Sequence, residues 1–276
     1  MSRAPDPSLL QDPAHMVVNS TLEFYRKLTK FPGAQYRDTG KLITLSTHVQ
    51  HPICNAILQT DLDPDTLDAE IQERIGFFKE KGLPFSWYVW PSSKPRNLGE
   101  RLLANGLTHA SSSPGMVADL SHLPDEVPYL GDLEIKRAVT EKMMADWLIP
   151  IDQAFQLPDF VNDFFIRVYL ALGLDENNPT RHFVAYLEGR PIACSTLYLG
   201  ADQVAGIWNV ATTSEARGKG IGTAVTWRAC QAAVEQGYTH AILRSSEMGY
   251  HVYKRLGFKE AFRDQVYVWQ PPEQHS

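Results

Sequence analysis

The sequence contains little cysteine and no long apolar run. Its three cysteines, Cys54, Cys194 and Cys230, are odd in number and widely spaced along the 276 residues. This favours neither a disulfide framework nor a zinc cluster, so the thiols are predicted to be small core residues. No apolar segment is long enough to cross a bilayer and no basic leader precedes one. The sequence therefore predicts a cytoplasmic protein without a membrane partner.

Basic charge is also scarce. The chain carries 26 lysines and arginines against 32 aspartates and glutamates, a formal net charge of −6. Binding nucleic acid requires a basic surface, so no nucleic-acid partner is expected. The acidic balance is compatible with a small cationic substrate, although it also serves solubility. With 43% hydrophobic and 21% charged residues, the chain is predicted to form one large or two moderate globular domains.

One glycine-rich segment is well placed to bind an anion. It reads Arg217-Gly218-Lys219-Gly220-Ile221-Gly222 and joins an apolar run at 204–211 to a helical pattern at 223–236. Glycines let the backbone approach a phosphate, and the N–H groups and dipole of a helix N-terminus attract negative charge. The spacing is neither a Rossmann nor a Walker motif, and a surface turn that binds nothing is the alternative.

A family resemblance rests on this segment and on a second motif. Arg-x-x-Gly-x-Gly resembles the acetyl-CoA pyrophosphate loop of the GCN5-related N-acetyltransferases (GNAT), and Tyr253-Lys254-Arg255-Leu256-Gly257-Phe258 is similar to their second signature. The predicted elements from about Leu133 to Trp269 follow the family order. The resemblance implies a mixed α/β fold, with a mostly antiparallel central sheet flanked by helices. It also implies an enzyme that transfers an acetyl group from acetyl-CoA to an amine without a metal.

The resemblance assigns roles to residues of this sequence. Backbone groups on the strand before the loop would polarise the thioester and pair with the pantetheine arm; these are Asn209, Val210, Ala211 and Thr212. The pyrophosphate would be bound by Arg217, Gly218, Lys219, Gly220, Ile221 and Gly222. Ser246 stands where many members carry asparagine and could cap a helix or bond a pantetheine amide.

Tyr253 is the candidate general acid toward the CoA thiolate, because a phenol with a pKa near 10 suits a thiolate of similar basicity. Tyr250 is its competitor if the register differs. A tyrosine that only packs its ring is the alternative.

The general base is not identified by the sequence. The central strand Ile207-Trp208-Asn209 contains no carboxylate. The candidates for acceptor binding lie on the first two helices, on the central strand and near the second motif: Asp146, Asp152, Trp208 and Glu247. Asp159 is a further carboxylate on these helices. Each carboxylate can equally be an ordinary solvated charge or helix cap.

The N-terminal half is similar to the C-terminal half in its order of elements. Its strand at 85–90, helix to Ala104 and following Asn105-Gly106-Leu107 parallel the strand, helix and Leu256-Gly257-Phe258 of the second half. Leu102 stands where Tyr253 stands, and aspartates replace the glycine loop, namely Asp61, Asp63, Asp65 and Asp68. We therefore predict a degenerate acetyltransferase-like domain at 1–130, ending in a linker at 121–130, and a catalytic domain at 131–276. An unrelated α/β domain is the alternative.

The function expected from these observations is acetyl-CoA-dependent N-acetylation of a small cationic acceptor by direct transfer. An aminoglycoside-type antibiotic, a polyamine and an amino acid derivative are the acceptor classes, and the first would make antibiotic resistance a role of the protein. A non-catalytic CoA-binding sensor and a protein N-acetyltransferase are the alternatives. The expected assembly is a monomer or a homodimer.

Overall fold

The computed structural model of the chain describes residues 12–127 and 131–271, which form two compact units. The large unit comprises Met1–Phe24 and Pro114–Ala261, and the small unit comprises Tyr25–Ser113 and Phe262–Ser276. The predicted boundary at residue 130 therefore does not separate them. Residues 128–130 of the predicted linker lie outside the described residues.

The elements up to residue 127 are mostly short strands. In chain order they are α1 (Pro13–Lys27), β1 (Gln35–Asp38), β2 (Leu42–Ser46), β3 (Ala56–Thr60), α2 (Leu67–Glu80), β4 (Phe85–Val89), α3 (Leu98–Ala104), β5 (Thr108–Ser111) and β6 (Pro114–Asp119).

The elements from residue 131 onward include the longest strands. They are β7 (Glu134–Arg137), α4 (Glu141–Phe155), α5 (Asp159–Leu172), β8 (Thr180–Leu187), β9 (Arg190–Leu199), β10 (Val204–Thr212), α6 (Ile221–Val234), β11 (His240–Arg244), α7 (Tyr250–Arg255), β12 (Lys259–Arg263) and β13 (Gln265–Trp269). No helix of the described residues is both long and apolar enough to span a bilayer.

Each unit contains one mixed sheet. The strand order is β1-β2-β3-β4-β13-β5 in the small unit and β12-β6-β11-β10-β9-β8-β7 in the large unit. Most neighbours are antiparallel, whereas β3 pairs in parallel with β4, and β10 with β11. This confirms the predicted fold class of two mixed, mostly antiparallel sheets flanked by helices.

Two strands belong to sheets other than those expected from the order of the strands along the chain. β13 lies between β4 and β5, with Tyr267 opposite Trp87, and β6 pairs with β11, with Met116 opposite Leu243. The predicted boundary at residue 130 places β6 in the first domain and β13 in the second. Strand periodicity specifies which face is buried but not which strand is the neighbour, and this is why the predicted boundary differs from the observed units.

The core of the large unit places β10 against helix α6. Ala205 and Ile207 alternate along β10 and share one buried cluster with Val225 and Cys230 of α6. Cys54, Cys194 and Cys230 are all buried, and none forms a disulfide. The close packing of small side chains fixes the start of α6 at the end of β10.

The predicted elements differ from the observed ones where local signals are weak. The sequence predicts that the helix after Thr140 ends near Pro150, but α4 continues to Phe155. An internal proline removes one hydrogen bond without ending a helix that is buried on one face. β1, β5 and β12 were not predicted. They are short strands of mostly exposed residues that lack the alternation on which strand prediction depends.

Candidate functional site

Strand β10 carries a bulge close to its end. Trp208 pairs with Thr196 and Ala211 with Cys194, so β10 has one residue more than β9 between these pairs. Asn209, inside the bulge, has a φ of +52°. The pairing of β10 with β11 ends at Gly206, so beyond this residue the two strands separate. A bulge beside a strand opening directs backbone groups out of the ladder, where a ligand can reach them.

The Asn209 side chain ties the bulge to helix α5. Its Nδ2 donates a hydrogen bond of 2.6 Å to the hydroxyl oxygen of Tyr169. Tyr169 is fully buried, and this burial raises the pKa of its phenol, so the hydroxyl stays neutral. Asparagine tolerates the left-handed region better than most residues, which suits it to this position.

A buried histidine, His182, packs against the ring of Tyr169. The ring centroids of His182 and Tyr169 are 4.5 Å apart, and the His182 Nδ1 lies 2.9 Å from the Thr196 hydroxyl. Burial lowers the pKa of His182 to about 3, so the imidazole is neutral at physiological pH. Sequence patterns identify neither Tyr169 nor His182. The contact of Tyr169 with Asn209 joins residues 40 positions apart, and that of His182 with Thr196 joins residues 14 positions apart.

The glycine-rich segment follows the bulge and is exposed. Gly218 and Gly220 have φ values of +75° and +79°, and Gly220 directly precedes α6. The Arg217 Nε donates to the Thr212 carbonyl at 3.3 Å, which connects the loop to the end of β10. A Cβ at Gly218 would meet no atom within 4 Å, so the backbone is open on that side. Exposed amides at a helix N-terminus beside Arg217 and Lys219 suit a diphosphate.

Tyr253 lies on α7 and is 8% exposed. Its ring packs edge-on against Phe258 with centroids 6.1 Å apart. A Cβ at Gly249 would lie 2.8 Å from the Tyr253 ring, so the turn before α7 needs glycine at this point. Burial raises the pKa of the phenol, with a smaller contribution from Cys230. Tyr253 therefore holds its proton more tightly than an exposed phenol does, and its role as an acid toward the thiolate stays a prediction.

Ser246 and Glu247 occupy the turn that precedes α7. The Ser246 Oγ accepts a hydrogen bond of 3.2 Å from the Gly249 N–H, and both Ser246 and Glu247 are exposed. The predicted helix start at the serines is displaced, since α7 begins at Tyr250. Tyr250 itself is half-buried, with the Lys254 Nζ 5.7 Å from its ring centroid.

The other acceptor candidates are dispersed. Asp146 accepts a hydrogen bond of 2.9 Å from the Tyr186 hydroxyl, and Asp152 accepts one of 3.0 Å from the Asn162 side chain. Both aspartates are thus engaged by neighbouring residues of the fold. Trp208 directly precedes the bulge and stacks on Phe24 of α1 at 4.4 Å. Of these candidates, only Trp208 lies next to the bulge in the chain.

The bulge, the glycine loop and Tyr253 fall within one stretch that matches a family of known activity. Residues 142–258 match the model of the Acetyltransferase (GNAT) family. The chain carries a GNAT acetyltransferase domain. This confirms the resemblance drawn from the two motifs and shows that the domain is an acyltransferase domain.

Solved structures show how far the fold extends. A GCN5-related N-acetyltransferase from Kribbella flavida is 17% identical, with a TM-score of 0.69 over 94% of this chain and 96% of that chain. One from Sphaerobacter thermophilus is 13% identical, with a TM-score of 0.63 over 98% and 96%.

A tandem GNAT protein from the clavulanic acid biosynthesis pathway is 14% identical, with a TM-score of 0.58 over 88% and 85%. No curated protein sequence matches the chain. Because these likenesses cover almost the whole chain, both GNAT-like units belong to the shared fold.

Proposed function

We propose that this protein is an acetyl-CoA-dependent N-acetyltransferase that acts by direct transfer on a primary amine of a small cationic acceptor. The observation that carries the proposal is the bulge of β10, which opens next to an exposed glycine loop at the N-terminus of α6. The bulge exposes backbone donors for a thioester and the loop exposes donors for a diphosphate. Acetyl-CoA contains both groups, joined by the pantetheine arm.

The binding roles follow from the chemistry of each segment. The amides around Gly218 and Gly220 and the charges of Arg217 and Lys219 bind the pyrophosphate. The open edge of β10 from Val210 to Thr212 pairs with the pantetheine amides as an added strand would. Ser246 supplies a further hydroxyl near the second motif. No metal is required, and no group of three or more metal-ligating side chains occurs in the described part of the chain.

The transfer step forms a C–N bond and breaks a C–S bond. The neutral amine attacks the thioester carbonyl, and backbone N–H groups of the bulge stabilise the negative charge that develops on its oxygen. The electron pair of the C–S bond leaves with sulfur as a thiolate, and the proton lost by the amine passes to water. A thiol with a pKa near 8.5 is more acidic than a buried phenol, so Tyr253 stabilises the thiolate through a hydrogen bond without full proton transfer.

The acceptor classes remain those expected from charge: an aminoglycoside-type antibiotic, a polyamine or an amino acid derivative. The net charge of −6 supports a cationic acceptor over a nucleic acid or an anionic one. We further propose a cytoplasmic monomer or homodimer that needs no macromolecular partner for the reaction.

The test measures thiol release from acetyl-CoA with a panel of aminoglycosides, polyamines and amino acids, and calorimetric binding of CoA in parallel. Turnover with one class identifies the enzyme and its substrate class together. Tight CoA binding without turnover on any amine, peptide amines included, would favour a CoA sensor over the enzyme. Absence of CoA binding would overturn the proposal.

A further inference from the structure

A recess of the large unit lies between helix α1 and the turn that enters β10. The residues of α1 that line it share one helical face: His15, Met16, Asn19, Ser20 and Glu23. The opposite wall consists of Ala201, Asp202 and Val204. None of the roles proposed above uses this recess.

The recess is lined by negative charge and contains no lysine or arginine among these lining residues. Glu23 is half-buried, and its Oε2 accepts a hydrogen bond of 3.0 Å from the Ala201 N–H. The Tyr198 hydroxyl approaches the same oxygen at 3.5 Å. The carboxylate is thus held in place beside Asp202, and this arrangement attracts a cation.

Ser20 provides a second and independent observation. Its side chain is 4% exposed, and its Oγ makes no hydrogen bond to any other residue that the structure describes. A buried hydroxyl without a partner is unfavourable, and most such groups in folded proteins are satisfied. An occupant of the recess that donates a hydrogen bond would satisfy Ser20 and pair with Glu23 together.

The recess reaches the strand that carries the bulge. A Cβ at Gly206 of β10 would lie 3.0 Å from the Ser20 Oγ and would overlap the Trp208 indole nitrogen. Asn209 follows Gly206 by three positions along the strand, which corresponds to about 10 Å at the rise of a β-strand. A molecule bound in the recess must therefore extend by about this length to reach the bulge.

We propose that the recess binds the ammonium group of an acceptor whose second amino group, about 10 Å away, is the one acetylated. An ammonium has three N–H donors, and Glu23 and Ser20 supply acceptors for it. A protonated amine cannot attack a thioester, so the anchored group and the reacting group are different amines. The proposal rests on the proposed function and narrows the acceptor to a diamine or polyamine. A carboxylate near the anchored amine would be repelled by Glu23 and Asp202, which disfavours amino acid derivatives.

The kinetic test compares α,ω-diaminoalkanes with the monoamines of equal carbon number. In the wild-type protein, kcat/KM should be at least about tenfold higher for the best diamine, which corresponds to one well-placed ion pair. Glu23→Gln keeps an acceptor for the Ala201 N–H and removes the charge, so it should abolish this preference and leave monoamine turnover unchanged. Glu235→Gln, which removes an exposed charge at the C-terminal cap of α6, is the matched control and should keep the preference. Equal wild-type values for diamines and monoamines would overturn the proposal.

A binding measurement separates failure of this inference from failure of the proposed function. Binding of 1,7-diaminoheptane in the absence of acetyl-CoA is measured by calorimetry and by the NMR signal of the Trp208 indole N–H. The signal is assigned with Trp208→Phe. A shift of the signal in the wild type, weakened by Ser20→Ala and lost in Glu23→Gln, would support the recess even if no amine is acetylated. No binding to the wild-type protein, or equal binding to Glu23→Gln, would show that the recess holds only water.

Discussion

The strand, loop and helix of the candidate site have a counterpart in the small unit, and the two differ in what fills them. In the large unit these are β10, the glycine loop and α6; in the small unit they are β3, residues 61–66 and α2. Both strands carry a bulge of one extra residue, and both pair in parallel with the next strand over only two or three residues. The same backbone arrangement, a bulged strand that separates from its parallel neighbour, therefore occurs in both units.

The side chains make one copy open and the other closed. Around the β10 bulge, Asn209 and Val210 are half-exposed, whereas Leu58 at the β3 bulge is fully buried. The Leu58 carbonyl accepts a hydrogen bond of 2.5 Å from the Trp90 indole, and the Trp87 indole donates to the Thr60 hydroxyl at 2.9 Å. Tryptophans thus occupy the strand opening of the small unit. Large side chains can thus fill a strand opening without changing the fold that forms it.

The largest expected effect concerns the loop that only one unit has. Gly218→Glu should weaken CoA binding by at least about 100-fold, because it introduces strain at a φ of +75° and a negative charge at the proposed pyrophosphate site. Calorimetry with CoA measures this.

Gly189→Glu is the matched control. Gly189 is also exposed, has a φ of +74° and lacks neighbours within 4 Å of a Cβ, but it belongs to the turn between β8 and β9. Equal losses in both variants would attribute the effect to strain and remove the loop from the site.

The second effect concerns Tyr253, whose counterpart in the small unit is the buried Leu102. Tyr253→Phe should lower kcat by about 30-fold with little change in CoA affinity, because it removes a hydrogen bond to the thiolate. The raised pKa of Tyr253 means that its ionisation causes no loss of activity below about pH 10. The rate should instead rise with pH as the amine loses its proton, in the wild type and in the variant alike. A wild-type rate that declines between about pH 8 and 9 would contradict this role of Tyr253.

How much of this site the sequence predicts depends on the range of the interaction. The glycine loop, Tyr253 and the strand at 204–212 are coded by neighbouring residues, so motif and periodicity are sufficient to find them. The Tyr169–Asn209 bond and the recess beside Ser20 join distant segments through packing, which no local pattern encodes. The exchanged strands β6 and β13 show the same limit for the fold. Their alternation predicts strands, but the choice of neighbour depends on which sheet buries each face.

The third effect tests whether the bulge needs its side-chain support. Tyr169→Phe leaves the Asn209 Nδ2 without its 2.6 Å acceptor, so the bulge should relax and kcat should fall by about tenfold while CoA affinity stays within about twofold. Asn209→Ala should have a similar effect, and the double variant should be no worse than either single one.

Tyr238→Phe removes a partly buried tyrosine hydrogen bond of 2.8 Å to the Gly200 carbonyl, away from the bulge, and serves as the control. If it lowers kcat as much as Tyr169→Phe does, the effect belongs to general stability and not to the bulge.

The smallest expected effect concerns the filled strand opening of the small unit. Trp90→Phe keeps most of the apolar volume that fills the β3 opening but removes the donor to the Leu58 carbonyl. The free energy of unfolding should fall by about 1 kcal/mol, the usual contribution of one buried hydrogen bond, as measured by denaturant titration. CoA affinity and turnover should not change, because the filled opening predicts that the small unit makes no cofactor contacts. If Trp90→Phe loses more free energy of CoA binding than free energy of unfolding, the small unit takes part in CoA binding. The distinction between an open site in the large unit and a filled one in the small unit would then be wrong.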